Sequence, residues 1–175
     1  MKISPELERQ ILARPDTVVR TGGAAMAIYN TPIAFRHKHV TNKAKLVEPS
    51  VDLIGGTFVA VIPAITRSEA NEPRWVKKMR RKLSTKQAVR QTIGPYARLL
   101  WPLAEAYHQG KMLKVCMTRL GGRRLDECNL PSSMKVVEDM VAGALLADDG
   151  DPRWSPRWKQ SPGGEIGVVV EIAVA

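Results

Sequence analysis

The residues best suited to chemistry lie in Arg123-Arg124-Leu125-Asp126-Glu127-Cys128-Asn129-Leu130, continued by Lys135 and Asp139 and closed by Asp148-Asp149-Gly150-Asp151. This stretch holds most of the closely spaced acids of a chain whose formal net charge is +10. Clustered carboxylates bind hard, oxygen-seeking cations such as Mg2+ or Mn2+, which bridge to phosphate oxygens and can generate a hydroxide nucleophile. Acids inside a basic protein therefore point to a metal site that faces phosphate. Lys135 has the charge to stabilise negative charge building on a phosphate, most effectively where water is scarce. Each piece also has a plainer reading. Lys135 and Asp139 make an ordinary i, i+4 surface pair worth roughly 0.3 kcal/mol, and Asp148-Asp149-Gly150-Asp151 makes a turn that ends a helix.

These residues need elements to position them. Leu113, Val115 and Met117 alternate with Lys114, Cys116 and Thr118, the period of a half-buried strand that leads into the acidic motif. Pro131 starts a helix well, and Met134, Val137, Val141, Ala144 and Leu145 make its apolar stripe, ending near Ala147. Asp126 then falls just past a strand, Lys135 and Asp139 one turn apart, and Asp148-Asp149 just after the helix. A helix from Pro131 to Ala147 is roughly 25 Å long. Asp126 and Asp149 thus start near its opposite ends, and meet only if the chain folds back or a second subunit supplies the missing end. In an extended backbone Asp126 and Cys128 point to one side and Glu127 to the other.

Upstream, Thr57-Phe58-Val59-Ala60-Val61-Ile62, closed by Pro63, reads as a buried strand. Val89, Ile93, Ala97, Leu100, Leu103 and Ala104 predict one interrupted helix from Thr85 to Tyr107, with Ser84 as its cap and a kink at Gly94-Pro95. Ile166, Val168, Val170, Ile172 and Val174 form a C-terminal strand, and Ser4-Pro5 starts a short helix to Ala13. The order strand, helix, strand, helix, strand indicates an α/β or α+β fold, a small mixed sheet with two main helices. We place this domain at residues 53–175, behind an irregular or partly stranded N-terminal extension, residues 1–52.

With 27 Lys and Arg against 17 Asp and Glu, the 175-residue chain has a surface that favours polyanions, nucleic acid first. Arg67, Arg74, Lys77, Lys78, Arg80, Arg81, Lys82, Lys86 and Arg90 form its basic centre, either a phosphate clamp in which Trp75 stacks on an unpaired base, or a solvated loop. Apolar runs are too short to span a bilayer, and Met1 to Glu6 lacks a signal-peptide core, so a cytoplasmic location is expected. Cys116 and Cys128 suit neither zinc nor a disulfide there. His37 and His39 make half a metal site with no third ligand nearby, and read better as a solvent-exposed pair. Trp154 and Trp158 sit either on a hairpin beside the acidic turn or over the core edge, the second being favoured.

Taken together, Asp126-x-x-Asn129-Leu130, Lys135 and Asp139 at helical spacing, and Asp148-Asp149 before Asp151-Pro152-Arg153 resemble the RusA-type family of Holliday-junction resolvases of phages and prophages. The resemblance covers roughly Phe58 to Ala175. It implies a dimeric α/β endonuclease that requires Mg2+ (or Mn2+) and nicks four-way DNA junctions in recombination and repair. Carried over by position, Asp126, Lys135 and Asp149 would be catalytic and Asp126, Asp148 and Asp149 would bind metal, with Glu127, Asn129 and Asp139 in support. Arg67, Arg74, Lys77, Lys78, Arg80, Arg81, Lys82, Arg123 and Arg124 would contact DNA. Cys128 is a departure, standing where the family usually has a second Asp, and a thiol is a soft ligand poorly matched to Mg2+. The alternative is a noncatalytic DNA binder on the same scaffold.

Overall fold

Alternation of buried and open residues, period two, builds the centre of this fold. A computed structural model of the chain describes residues 45–67, 75–121 and 123–175. Its elements run β1 (Lys45–Leu46), β2 (Ser50–Ile54), β3 (Thr57–Ile62), α1 (Trp75–Ile93), a 3-10 segment (Gly94–Leu100), α2 (Trp101–His108), β4 (Leu113–Gly121), α3 (Asn129–Ala144), β5 (Trp154–Pro162) and β6 (Glu165–Val174). The sheet order is β2-β3-β6-β4-β5, with β1 beside the start of β6. Most pairings are antiparallel, while β4–β5 and β1–β6 are parallel. This is an α+β fold whose sheet begins at Lys45, inside the stretch assigned to the extension.

The register stacks the buried face in rows that cross the sheet. Pro156, Val115, Ile172 and Phe58 form one row, and Trp158, Met117, Val170 and Ala60 the next. The last row is Gln160, Arg119, Val168 and Ile62, so the core face ends on two polar side chains. Against this face pack Ala88, Val89 and Ile93 of α1, Leu103, Ala104 and Tyr107 of α2, and Met134, Val137 and Val141 of α3. The opposite face of the sheet, including Val59, Val61, Cys116, Thr118 and Val169, is only partly buried.

Several expectations need correcting. The first main helix begins at Trp75, not Thr85. Its cation-rich half is built of good helix formers but buries no apolar stripe: Trp75, Val76, Met79 and Leu83 are exposed. A core-facing periodicity therefore registers only from Thr85 onward, and the solvated-loop reading of Lys77 to Lys82 falls. The interruption at Gly94-Pro95 is present as a 3-10 segment in which Tyr96 leaves helical geometry at φ −110°, ψ 15°. Helix α3 ends at Ala144, earlier than Ala147, because Leu146 takes a left-handed φ of 54°. Strand β5 lacks the β-branched run that marks a strand, and its partner is β4 rather than a hairpin neighbour. Trp154 is buried in the core and Trp158 packs on its edge, as the second reading of that pair had it. The segment Pro5 to Ala13, His37, His39 and Arg74 lie outside the described residues.

Candidate functional site

The chain folds back at the end of α3, and that turn decides where the acids go. With Leu146 left-handed, the Ala147 N–H donates to the carbonyl of Ala142 at 2.9 Å, closing the helix in the manner usually reserved for glycine. Tyr107 then anchors the returning strand, its hydroxyl accepting the Asp148 N–H at 3.2 Å. Asp148 spends its carboxylate on the turn, Oδ1 accepting the Gly150 N–H at 2.9 Å. Asp151 accepts from the Arg153 N–H at 2.8 Å and from its guanidinium, while Arg153 Nη1 donates to the Tyr107 carbonyl at 3.1 Å. The Arg153 guanidinium also lies 4.5 Å from the centre of the Tyr107 ring. Asp149 is the acid of this turn left to face the helix.

There it forms an ion pair with Lys135. The same ammonium sits 3.2 Å from Oδ1 of Asp139, one helical turn on. Both carboxylates, Asp149 foremost, hold the Lys135 pKa well above its ordinary value, and the lysine in turn lowers that of Asp149. Beside them, Glu138 is only 4% exposed and accepts a hydrogen bond from Trp154 Nε1 at 3.1 Å. Burial raises its carboxyl pKa, against the opposing pull of the Trp154 bond and of Lys135. Lys135 thus stands between Asp139 of its own helix and Asp149 of the turn, both partly open to solvent, with a buried acid beside them.

Asp126 is placed differently. The polar end row of the sheet sets its approach: Arg119 Nη1 donates to the Arg123 carbonyl at 2.8 Å. Gln160 grips Leu125 twice, accepting its N–H at 2.8 Å and donating to its carbonyl at 2.7 Å. The Asp126 carbonyl then accepts the N–H groups of Asn129 and Leu130 at 3.0 and 3.1 Å, and its carboxylate meets Asn129 Nδ2 at 3.4 Å. Glu127 and Cys128 form an exposed turn, with Cys128 at helical φ −69° and ψ −25°. The alternation expected of an extended backbone does not apply to them. Lys135 lies six residues beyond Asn129, about 9 Å along the axis.

The acids therefore fall into two groups, Asp126 and Glu127 ahead of α3, and Asp139 and Asp149 about Lys135 partway along it. Their oxygen donors match a hard divalent cation in kind. They do not match it in place: among the described residues no three Asp, Glu, His or Cys side chains converge as a metal site, and the Lys135 ammonium stands between Asp139 and Asp149.

Basic residues collect beside the first half of α3 and on the loop ahead of it. Helix α1 packs against α3, and a narrow cleft between them is lined by Thr66, Arg67, Arg81, Lys82, Ser132 and Ser133, among others. Lys77 and Arg80 are exposed farther up α1, and Arg123 and Arg124 are exposed on the loop ahead of Asp126.

No protein-family model and no curated protein sequence matches this chain.

Sequence reasoning missed Glu138, Tyr107, Arg119 and Gln160. The signal for Arg119 was present, since it continues the buried alternation of Leu113, Val115 and Met117. The other three act through tertiary contacts that no local spacing encodes.

Proposed function

We propose that the chain is a structure-selective DNA endonuclease of the RusA type, nicking four-way junctions as a homodimer with Mg2+ or Mn2+. One grouping carries the reading: Lys135 between Asp139 and Asp149, half open to solvent, in front of the buried Glu138. A lysine so held is fully charged and aimed, and an incoming phosphate can take the place of a carboxylate on it. The reading assigns Lys135 to the scissile phosphate. It assigns Asp126, Asp148 and Asp149 to the cation, and Arg67, Arg74, Lys77, Lys78, Arg80, Arg81, Lys82, Arg123 and Arg124 to flanking phosphates. It requires a second copy, because within one chain Asp126 and Asp149 belong to separate groups.

The test is a labelled four-way junction incubated with Mg2+ and wild type, Asp126→Asn, Lys135→Met or Asp149→Asn. We expect paired, metal-dependent nicks in wild type and a loss of about 100-fold in each variant, with junction binding retained. Wild type that leaves the junction intact in both Mg2+ and Mn2+ sinks the proposal. A second reading, a noncatalytic junction or duplex binder, is favoured by Cys128 at a position where the resemblance calls for a carboxylate. It expects salt-sensitive mobility shifts without cleavage, and Cys128→Asp then reports whether one carboxylate restores nicking.

A further inference from the structure

Arg119 is a buried charge with no countercharge among the described residues. The residue is 9% exposed and sits in the last row of the core face, between Val168 and Gln160. Its Nε donates to Thr66 Oγ1 at 3.1 Å and its Nη1 to the Arg123 carbonyl at 2.8 Å, both neutral acceptors. No carboxylate pairs with it among the described residues. Burying an ion unpaired is costly, and a guanidinium cannot escape by losing its proton. Burial lowers its pKa without discharging it.

One nitrogen of the fork is left over. Nη2 meets no acceptor among the described residues, yet it is not among the buried nitrogens sealed from solvent. Gly121 makes room for it: a Cβ there would stand 3.0 Å from Nη2 and 3.2 Å from Cζ. Thr66, the hydroxyl that holds Nε, is also a wall of the cleft between α1 and α3, which Arg67 and Ser132 line as well. Arg123, whose carbonyl steadies Nη1, carries its own exposed guanidinium. A planar donor fork, fixed at Nε and Nη1 and with Nη2 unspent, has the geometry that reads phosphate oxygens, and the residues on either side of it, Arg67 next to Thr66 and Arg123, bring further positive charge.

We propose that Arg119, framed by Thr66, Arg67 and Arg123, is a binding site for a nonscissile phosphodiester of nucleic acid. The site is separate from the Lys135 grouping. It rests on the nucleic-acid part of the function proposed above and not on cleavage. It gives the loop that carries Asp126 a second hold, since the same guanidinium ties Arg123 and the phosphate.

Two measurements test it, on the full chain. In the first, thermal unfolding is followed with added inorganic phosphate against chloride at equal ionic strength, for wild type, Arg119→Gln and Arg67→Gln. Phosphate should raise Tm in wild type, weakly in Arg67→Gln and not in Arg119→Gln. In the second, the affinity for a labelled duplex and a four-way junction is read across salt concentrations. Arg119→Gln should weaken binding about tenfold and flatten the slope of log K against log salt by about one. If Arg119→Gln does not fold, Thr66→Ala, which frees Nε, and Arg67→Gln carry both readings, with smaller losses expected. Unchanged DNA affinity and slope in a folded Arg119 variant, or in both substitutes, overturns the proposal. Should phosphate raise Tm while DNA binding ignores Arg119, the pocket takes free phosphate and the nucleic-acid assignment is wrong. If wild type binds no DNA at all, the function proposal and this assignment fail together, and a phosphate response that vanishes in Arg119→Gln preserves the anion pocket alone.

Discussion

Lys135 and Glu138 occupy neighbouring positions on one helix and obey opposite electrostatics. Lys135 is about half exposed, so its two ion pairs are screened, and losing them costs little stability. Lys135→Met should therefore lower unfolding free energy by no more than about 1 kcal/mol in urea while abolishing nicking. A variant that unfolds instead would make Lys135 structural. Glu138 is buried, and its raised pKa means that the folded state binds its proton more tightly than the unfolded chain does. Its contribution to stability is then greatest at acid pH and falls as pH rises from the unfolded carboxylate value through the folded one. Glu138→Gln keeps an oxygen for Trp154 Nε1 and removes the buried charge. We expect its Tm to exceed that of wild type at pH 7 and the gap to close as pH falls below about 4, where the wild-type acid becomes neutral in both states. A gap that does not change with pH would show that the charge is not the cause. Asp149 works the other way: its lowered pKa supplies stability above the ordinary carboxylate range that is lost as pH falls.

At the scale of elements, the C-terminus of α3 does more for the site than its length does. A helix of 16 residues is about 24 Å long, which by itself would leave Asp149 stranded beyond its end. The left-handed Leu146 reverses the chain at once, and Tyr107 and Arg153 pin the returning turn, so Asp149 arrives beside a lysine nine positions before the helix ends. A β-branched residue tolerates left-handed geometry worse than leucine does. Leu146→Val should cost about 1 kcal/mol in denaturant unfolding and, if it loosens the turn, reduce nicking beyond what that loss explains. An unchanged midpoint would mean that the turn relaxes without the strain inferred for it. Helix α1 divides in the same way, one half buried against the sheet and the other holding cations outward, so its first half buries no apolar stripe.

At the scale of the whole molecule, the described residues of this basic chain form an α+β domain, and no helix among them is long and apolar enough to cross a membrane. If two copies share a site, with Asp126 from one and Asp149 from the other, inactive variants should complement. Mixing Asp126→Asn with Asp149→Asn would build dimers in which one site is wholly wild type and the other carries both changes. Nicking should return in the mixture, on one strand at a time. Mixtures as dead as their parents, with subunit exchange verified, would place both acids in the same chain's site or in none.

Local pattern determined a good deal of this. The strands at Thr57–Ile62, Leu113–Met117 and Ile166–Val174, the interruption at Gly94-Pro95, and the one-turn spacing of Lys135 and Asp139 are short-range consequences of residue type and of strand and helix periods, and the sequence by itself pointed to them, although it marked Thr57–Ile62 as buried where the structure alternates. Tertiary structure alone decided the rest. Asp149 reaches Lys135 because a backbone reversal and a distant tyrosine carry it there. Arg119 lies buried because sheet register puts it in line with Val168 and Gln160. Periodicity tells a residue which way to face, whereas register and chain reversal determine what it meets, and those depend on contacts between segments far apart in the chain.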